Sequence, residues 1–242
     1  MDRPALATMP AMMKLVIGNK NYSSWSMRPW VLMREFGLPF EEVRLRFDSF
    51  APDSAFKKAV ARYSPVGRVP VLVLADGLAV WDTLAIAETL AEQFPALPLW
   101  PQQAGLRARA RSLCAEMHAG FGALRGHCGM NIEARLPEVG ARLLAEHPAL
   151  RSDLARLETL WGEALAASGG PFLFGAYGIV DAFYAPVATR LRTYGLPVAA
   201  PAQAYADRLL ATAGVRAWEA DALAEADFLA FEEPYRQERG AR

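Results

Sequence analysis

Three hydroxyls stand in a row at Tyr22-Ser23-Ser24, between a short apolar run and a stretch with helical spacing. Hydroxyls at such a junction either cap the helix by accepting from its first N–H groups or donate to an anion at its positive end. A second junction of this kind is Asp82-Thr83, where an acid and a hydroxyl precede Leu84, Ile86, Ala87, Leu90 and Phe94. Between them lies Arg68-Val69-Pro70, a cation beside a proline at the entry to an apolar run. His118 follows Cys114 by four residues and His127 adjoins Cys128. With no carboxylate-rich partner or second thiol pair, neither makes a metal set, and no metal is expected.

The elements that must carry these groups are legible from periodicity. Lys14 to Gly18 is a short β-branched run stopped by a Gly-Asn turn, hence a strand. The helix after it is expected to begin near Ser26, because Pro29 is tolerated only in a first turn, which leaves Tyr22 to Trp25 in a loop. Glu41 to Phe47 alternates Val43, Leu45 and Phe47 with charged residues, as a half-buried strand does. Ser54 to Arg62 reads as a short helix. Val71 to Leu74 and Leu78 to Trp81 read as two strands joined through Asp76-Gly77. Asp82-Thr83 then caps the next helix. The order is β-α-β-α-β-β-α.

The proline-punctuated stretch from Pro95 to Pro101 is the expected boundary, and beyond it apolar residues step by three or four. The predicted fold class is therefore α/β followed by all-α. Expected units are a tail over 1–13, an α/β domain over 14–94, a linker over 95–103 and a helical domain over 104–242. Met12 or Met13 could serve as the start instead of Met1. Met1 to Met13 has no continuous apolar run of the signal-peptide type.

Composition narrows the function. The 242 residues carry 26 Lys+Arg against 26 Asp+Glu, so the balance does not favour a nucleic-acid partner, whose phosphates select basic surfaces. No apolar run approaches the roughly 20 residues that span a bilayer, so no membrane partner is expected. Two cysteines, Cys114 and Cys128, make no disulfide framework, and a reducing, cytoplasmic setting follows as the default.

Taken together, these segments resemble a glutathione transferase. The N-terminal order is similar to a thioredoxin-like domain, and Val69-Pro70 stands where that fold keeps a cis-proline. Asp82-Thr83-Leu84-Ala85-Ile86-Ala87-Glu88-Thr89-Leu90 resembles the family's Glu-Ser-x-Ala-Ile-x-x-Tyr-Leu segment. Ser23-Ser24-Trp25-Ser26-Met27-Arg28 resembles the Ser-Ser-Cys-Ser-x-Arg signature of the zeta class, which includes maleylacetoacetate isomerases. Here Trp25 replaces the cysteine, and Asp-Thr stands for Glu-Ser. The resemblance spans roughly residues 14 to 225. Phe174 to Asp181 is similar to the family's capping segment, with Gly178 in place of the hydroxyl cap, which makes Asp181 a folding residue.

The resemblance implies a cytoplasmic, homodimeric detoxification enzyme that activates the thiol of glutathione and adds it to a small electrophile. It places the catalytic serine at Ser23, with Ser24 and Tyr22 as alternatives. Lowering an ordinary thiol from about 8.5 to about 6.5 requires about 2.7 kcal/mol of selective anion stabilisation. One hydrogen bond to a charged group supplies roughly 1.5–3 kcal/mol, and a helix N-terminus adds roughly 0.3–1 kcal/mol. Val69, ahead of Pro70, is expected to pair with the ligand backbone like an added strand. Asp82 is expected at the γ-glutamyl amine, Thr83 at its carboxylate, Arg68 at the glycyl carboxylate and Trp25 on the thiol pocket wall. The family's isomerases hold a substrate carboxylate with an arginine near Arg190 and Arg192, but counting places Thr193 there, and both arginines are expected on the surface. Three other activities fit the same scaffold: a cis-trans isomerase, a glutathione-dependent peroxide or disulfide reductase, and a non-catalytic scaffold. Neither cysteine is expected near the site.

Overall fold

The computed structural model describes residues 12–240. Most of the expected N-terminal tail, Met1 included, lies outside the described residues.

A β-branched run with no charge inside it folds as a strand covered on both faces. Strand β1, Lys14–Ile17, accordingly buries Leu15, Val16 and Ile17 completely. It pairs in parallel with β2, Glu41–Arg44, and antiparallel with β3, Val71–Val73. Strand β3 pairs antiparallel with β4, Ala79–Trp81, which completes a four-stranded sheet of order β2-β1-β3-β4. Helices α1 (Ser24–Glu35), α2 (Ala55–Val60) and α3 (Thr83–Gln93) fall between and after the strands, in the expected order. The domain is thioredoxin-like.

Several boundaries differ from the sequence expectation by one to three residues, and two of these bear on the site. Strand β2 ends at Arg44, although the alternation of exposure continues to a buried Phe47. Helix α1 begins at Ser24 and not near Ser26, with Pro29 inside it. The missing N–H of Pro29 removes one interior bond, a cost the helix sustains because Ser26 to Met33 are all buried.

The rest is helical: α4 (Ala104–Ala119), α5 (Gly122–His127), α6 (Pro137–Glu146), α7 (Pro148–Ser168), α8 (Ile179–Tyr194), α9 (Ala200–Leu210) and α10 (Ala213–Glu225). Helix α8 is the axis of this part, buried along nearly its whole length and packed on α1, α4, α6 and α9. Asp181 fastens its start by accepting from Gly178 N at 2.9 Å and from the Tyr205 hydroxyl at 2.8 Å. Gly140 lets α6 approach closely, since a Cβ there would stand 1.8 Å from the Tyr194 carbonyl oxygen.

The chain then returns to the first domain. After α10, a single 3-10 turn (Ala230–Glu232) lies beside a small second core made of Tyr22, Phe47, Phe56, Val60 and Leu229. No helix among the described residues is long and apolar enough to cross a membrane.

Candidate active site

The loop between β1 and α1 is fixed from outside. Asn19 donates to Asp227 at 3.0 Å and accepts from Phe47 N at 2.8 Å, while Lys20 N donates to Glu225 at 3.0 Å. The Tyr22 hydroxyl donates to Glu233 at 2.7 Å and accepts from Leu229 N at 3.2 Å. Burial raises its pKa, so it stays a neutral phenol with its hydrogen bonds committed to the chain's end.

Ser23 is the N-cap of α1, yet its side chain caps nothing. Its hydroxyl, buried in the loop, donates to Ser26 Oγ at 2.7 Å, and Ser26 Oγ accepts from Gly18 N at 3.2 Å. Ser24 Oγ accepts from Arg190 at 3.2 Å.

Three spaces meet at Trp25. The first, about 330 Å³, is lined by Trp25, Arg68, Val69, Pro70, Asp82, Thr83, His118 and Arg125 among others. The second, about 380 Å³, joins Tyr22, Ser23, Ser24 and Trp25 to Phe47, Phe50, Phe56, Lys57, Arg68 and Val69. The third, about 400 Å³, runs from Tyr22, Ser24 and Trp25 to Gly126, Gly129, Met130, Arg125 and Arg190. All nine residues singled out in the sequence, from Tyr22 to Thr83, line at least one of them.

The Asp82-Thr83 corner combines backbone strain with an unpartnered hydroxyl. Asp82 has φ 73°, a left-handed conformation that costs a non-glycine residue about 1–3 kcal/mol. Its carboxylate accepts from Leu84 N at 3.0 Å, capping α3, and its second oxygen lies 3.4 Å from His118 Nε2. The Thr83 hydroxyl is buried with no hydrogen-bond partner among the described residues, at a helix N-terminus where an anion would satisfy it. Val69 precedes a cis bond to Pro70, as expected, and Arg68 beside it is exposed and makes no ion pair among the described residues. Lys57 reaches the same edge, donating to the Gly67 carbonyl at 2.7 Å.

The helical wall brings residues that local sequence patterns did not select. Arg190, expected on the surface, is buried: it donates to the carbonyls of Cys128 at 2.8 Å and Pro186 at 3.2 Å. The correction has a physical cause, for α8 is enclosed by α1 and α4 on this side, and only Arg192 escapes, to pair with Glu219. Burial lowers the Arg190 pKa to about 10. Burial, with the charges of Arg190 and Arg125, lowers that of Arg28 to about 9. The Arg28 guanidinium stacks 4.0 Å from the Trp25 ring, and Arg125 lies 5.0 Å from it on the same residue. Arg125, Lys57 and Glu232 carry no motif; a charged residue in a helix or loop reads as solvated, and only the tertiary fold turns these inward. Cys128 also sits closer than expected, next to Gly129 of the third space, but both cysteine thiols are buried and burial raises their pKa values. Among the described residues, no group of three or more His, Cys, Asp or Glu could hold a metal.

Residues 22–93 match the family model described as glutathione S-transferase, N-terminal domain. A glutathione transferase homolog from Burkholderia GL BGR1, solved with bound glutathione, is 24% identical over 89% of this chain and 99% of its own, with a TM-score of 0.64. The chain has the glutathione transferase fold. A homolog from Sulfitobacter, also with bound glutathione, is 21% identical over 87% of this chain and 98% of its own, at a TM-score of 0.66. A Tau class glutathione S-transferase from mango, Mangifera indica, is 20% identical over 90% and 98%, at 0.67. No curated protein matches the chain by sequence. In this glutathione transferase fold the family-matched segment runs from Tyr22 through α3, so it contains every residue that the sequence selected for the site.

Proposed function

We propose that the protein is a glutathione transferase in which Ser23 holds the glutathione thiol as its thiolate for addition to a small electrophile. One observation carries the reading. The Ser23 hydroxyl stands at the N-cap of α1, makes no capping bond, and lines the same space as Val69 and Arg68. In this reading residues 14–94 bind glutathione and residues 104–242 supply the electrophile side. The γ-glutamyl amine lies at Asp82 and its carboxylate at the orphan Thr83 hydroxyl. The ligand backbone lies along Val69 and the glycyl carboxylate toward Arg68 and Lys57. A thiol placed above α1 meets the helix's positive end, and a turn of the Ser23 hydroxyl away from Ser26 gives it a hydrogen bond. These are the two contributions that together meet the ~2.7 kcal/mol requirement.

Tyr22 is the weaker candidate, since its hydroxyl is bound to Glu233 and Leu229. Ser24 faces the third space, tied to Arg190. A zeta-type isomerase reading is favoured by Arg125 and Arg190 lining that space, where a substrate carboxylate would be held. Peroxide or disulfide reduction would run through bound glutathione, both cysteines being buried. Detoxification, a cytoplasmic setting and a homodimer belong to the reading through the resemblance; light scattering tests the dimer.

Calorimetry with glutathione separates enzyme from scaffold: no binding at millimolar concentration overturns the proposal. Where glutathione binds, Ser23→Ala should raise the bound thiol's pKa by about 1–2 units, the size of one charge-assisted hydrogen bond. It should also slow conjugation of a chlorodinitrobenzene substrate at least about tenfold. An unchanged thiolate absorbance profile in Ser23→Ala, with a shift in Ser24→Ala, transfers the role to Ser24.

A further inference from the structure

Two adjacent acids in the terminal segment have opposite surroundings. Glu233 is buried and saturated: it accepts from Tyr22, from Asn131 at 2.9 Å and from Arg236 at 2.6 Å. Its neighbour Glu232 is half-buried, and no hydrogen bond or ion pair reaches its carboxyl among the described residues. Glu233 therefore anchors the turn, and the turn presents Glu232.

Where it is presented matters. Among the described residues, only Tyr22, Ser24, Trp25 and Glu232 line both the second and the third space. The second holds Ser23 and the glutathione-side residues; the third holds Arg125 and Arg190. Glu232 thus stands on the seam where a thiol from one side and an electrophile from the other would meet.

We infer that Glu232 is the proton acceptor and donor when glutathione adds to an electrophile that must take up a proton, as a carbon–carbon double bond conjugated to a carbonyl does. The inference rests on the proposed transferase reading. The steps balance without a further reactant. The S–H bond of glutathione breaks and its proton passes to the Glu232 carboxylate, while Ser23 donates to the thiolate. Sulfur bonds to the β-carbon, the π pair moves onto the α-carbon and carbonyl oxygen, and Glu232 returns the proton to the α-carbon. Burial first, and the charge of Glu233 second, push the Glu232 pKa up to about 7, where a carboxyl exchanges protons in both directions. The charged and titratable groups that line the same spaces are Arg125 and Arg190 from the helical side, Lys57 and Arg68 from the sheet side, and Tyr22, while Glu233 is the charge that acts on it.

Thiol and carboxyl then titrate as a pair, active when they share one proton. Addition of glutathione to a small enone should follow a bell in pH. The acid limb marks the fully protonated pair, and the alkaline limb marks loss of the proton to be returned. Glu232→Gln should keep glutathione affinity within about twofold, lower kcat for the enone by about 10²–10⁴-fold and abolish the alkaline limb. Calorimetry at pH 8 in buffers of different ionisation enthalpy should show at least about twice as many protons released per glutathione bound in Glu232→Gln as in the wild type. Equal proton release, or a bell that persists in the variant, overturns the inference. So does a wild-type profile with no alkaline limb, a measurement that needs no variant to fold. Glu232→Asp should restore the bell. If the wild type binds no glutathione, or forms no thiolate absorbance with it, the transferase reading fails instead.

Discussion

The two walls of the cleft are held by different means. On the sheet side, Val69, Asp82 and Thr83 sit at the ends of short elements, and each is placed by residues a few positions away. On the helical side, Arg190 is held by the Cys128 carbonyl, and the turn that carries Glu232 is held through the bonds of Glu233 to Tyr22 and Asn131, all partners far along the chain. The first wall is a local construction that substitution would damage residue by residue. The second is a tertiary construction, in which one lost tie releases several groups.

The sharpest way to break this contrast is at the terminal anchor. Glu233→Ala leaves Arg236 buried and deprived of its closest partner, and should destabilise the fold by about 3–5 kcal/mol. Urea unfolding measures the loss, and limited proteolysis should cut first beyond Glu225. A loss below about 1 kcal/mol would mean the helical wall does not depend on this anchor.

A smaller effect is expected at α8. Burial holds Asp181 at about 6 in the folded protein, above its unfolded value of about 3.8. The folded state therefore binds this proton more tightly, and its contribution to stability is present below pH 4 and fades as pH rises through 6. Asp181→Asn lacks this titration, so wild type should lose stability relative to the variant between those limits. Chemical denaturation at a series of pH values reads the difference directly.

The smallest change in stability is expected on the sheet side. Thr83→Val removes a hydroxyl that has no partner among the described residues, so stability should change by less than about 1 kcal/mol. Glutathione affinity should nonetheless fall about five- to tenfold if the hydroxyl holds the γ-glutamyl carboxylate as proposed. Unchanged affinity by calorimetry would remove Thr83 from the site.

The same contrast explains how much was legible beforehand. The hairpin at Asp76-Gly77 and the cap at Asp82 are settled by neighbouring residues, so they could be read from a few letters. The start of α1 departs from its expected place because the constraint from Pro29 is local, whereas the helix is stabilised by burial in the core of the whole molecule. Arg190 looked like a surface charge for the same reason. Its burial depends on α1, α4 and the residues after α5, none of which the spacing within α8 can reveal. Glu232 carried no signal, since an acid in a terminal Phe-Glu-Glu-Pro stretch resembles any solvated tail.

The terminal segment has a consequence for synthesis. Glu225, Asp227 and Glu233 hold Asn19, Lys20, Arg46 and Tyr22, which form and brace the loop leading into Ser23. A nascent chain can complete its sheet and most of its helices on the ribosome while that loop has nothing to close it. Only when residues 225–233 fold back onto the first domain does the loop before Ser23 acquire its setting, so the proposed reactive centre forms after the sheet and not with it.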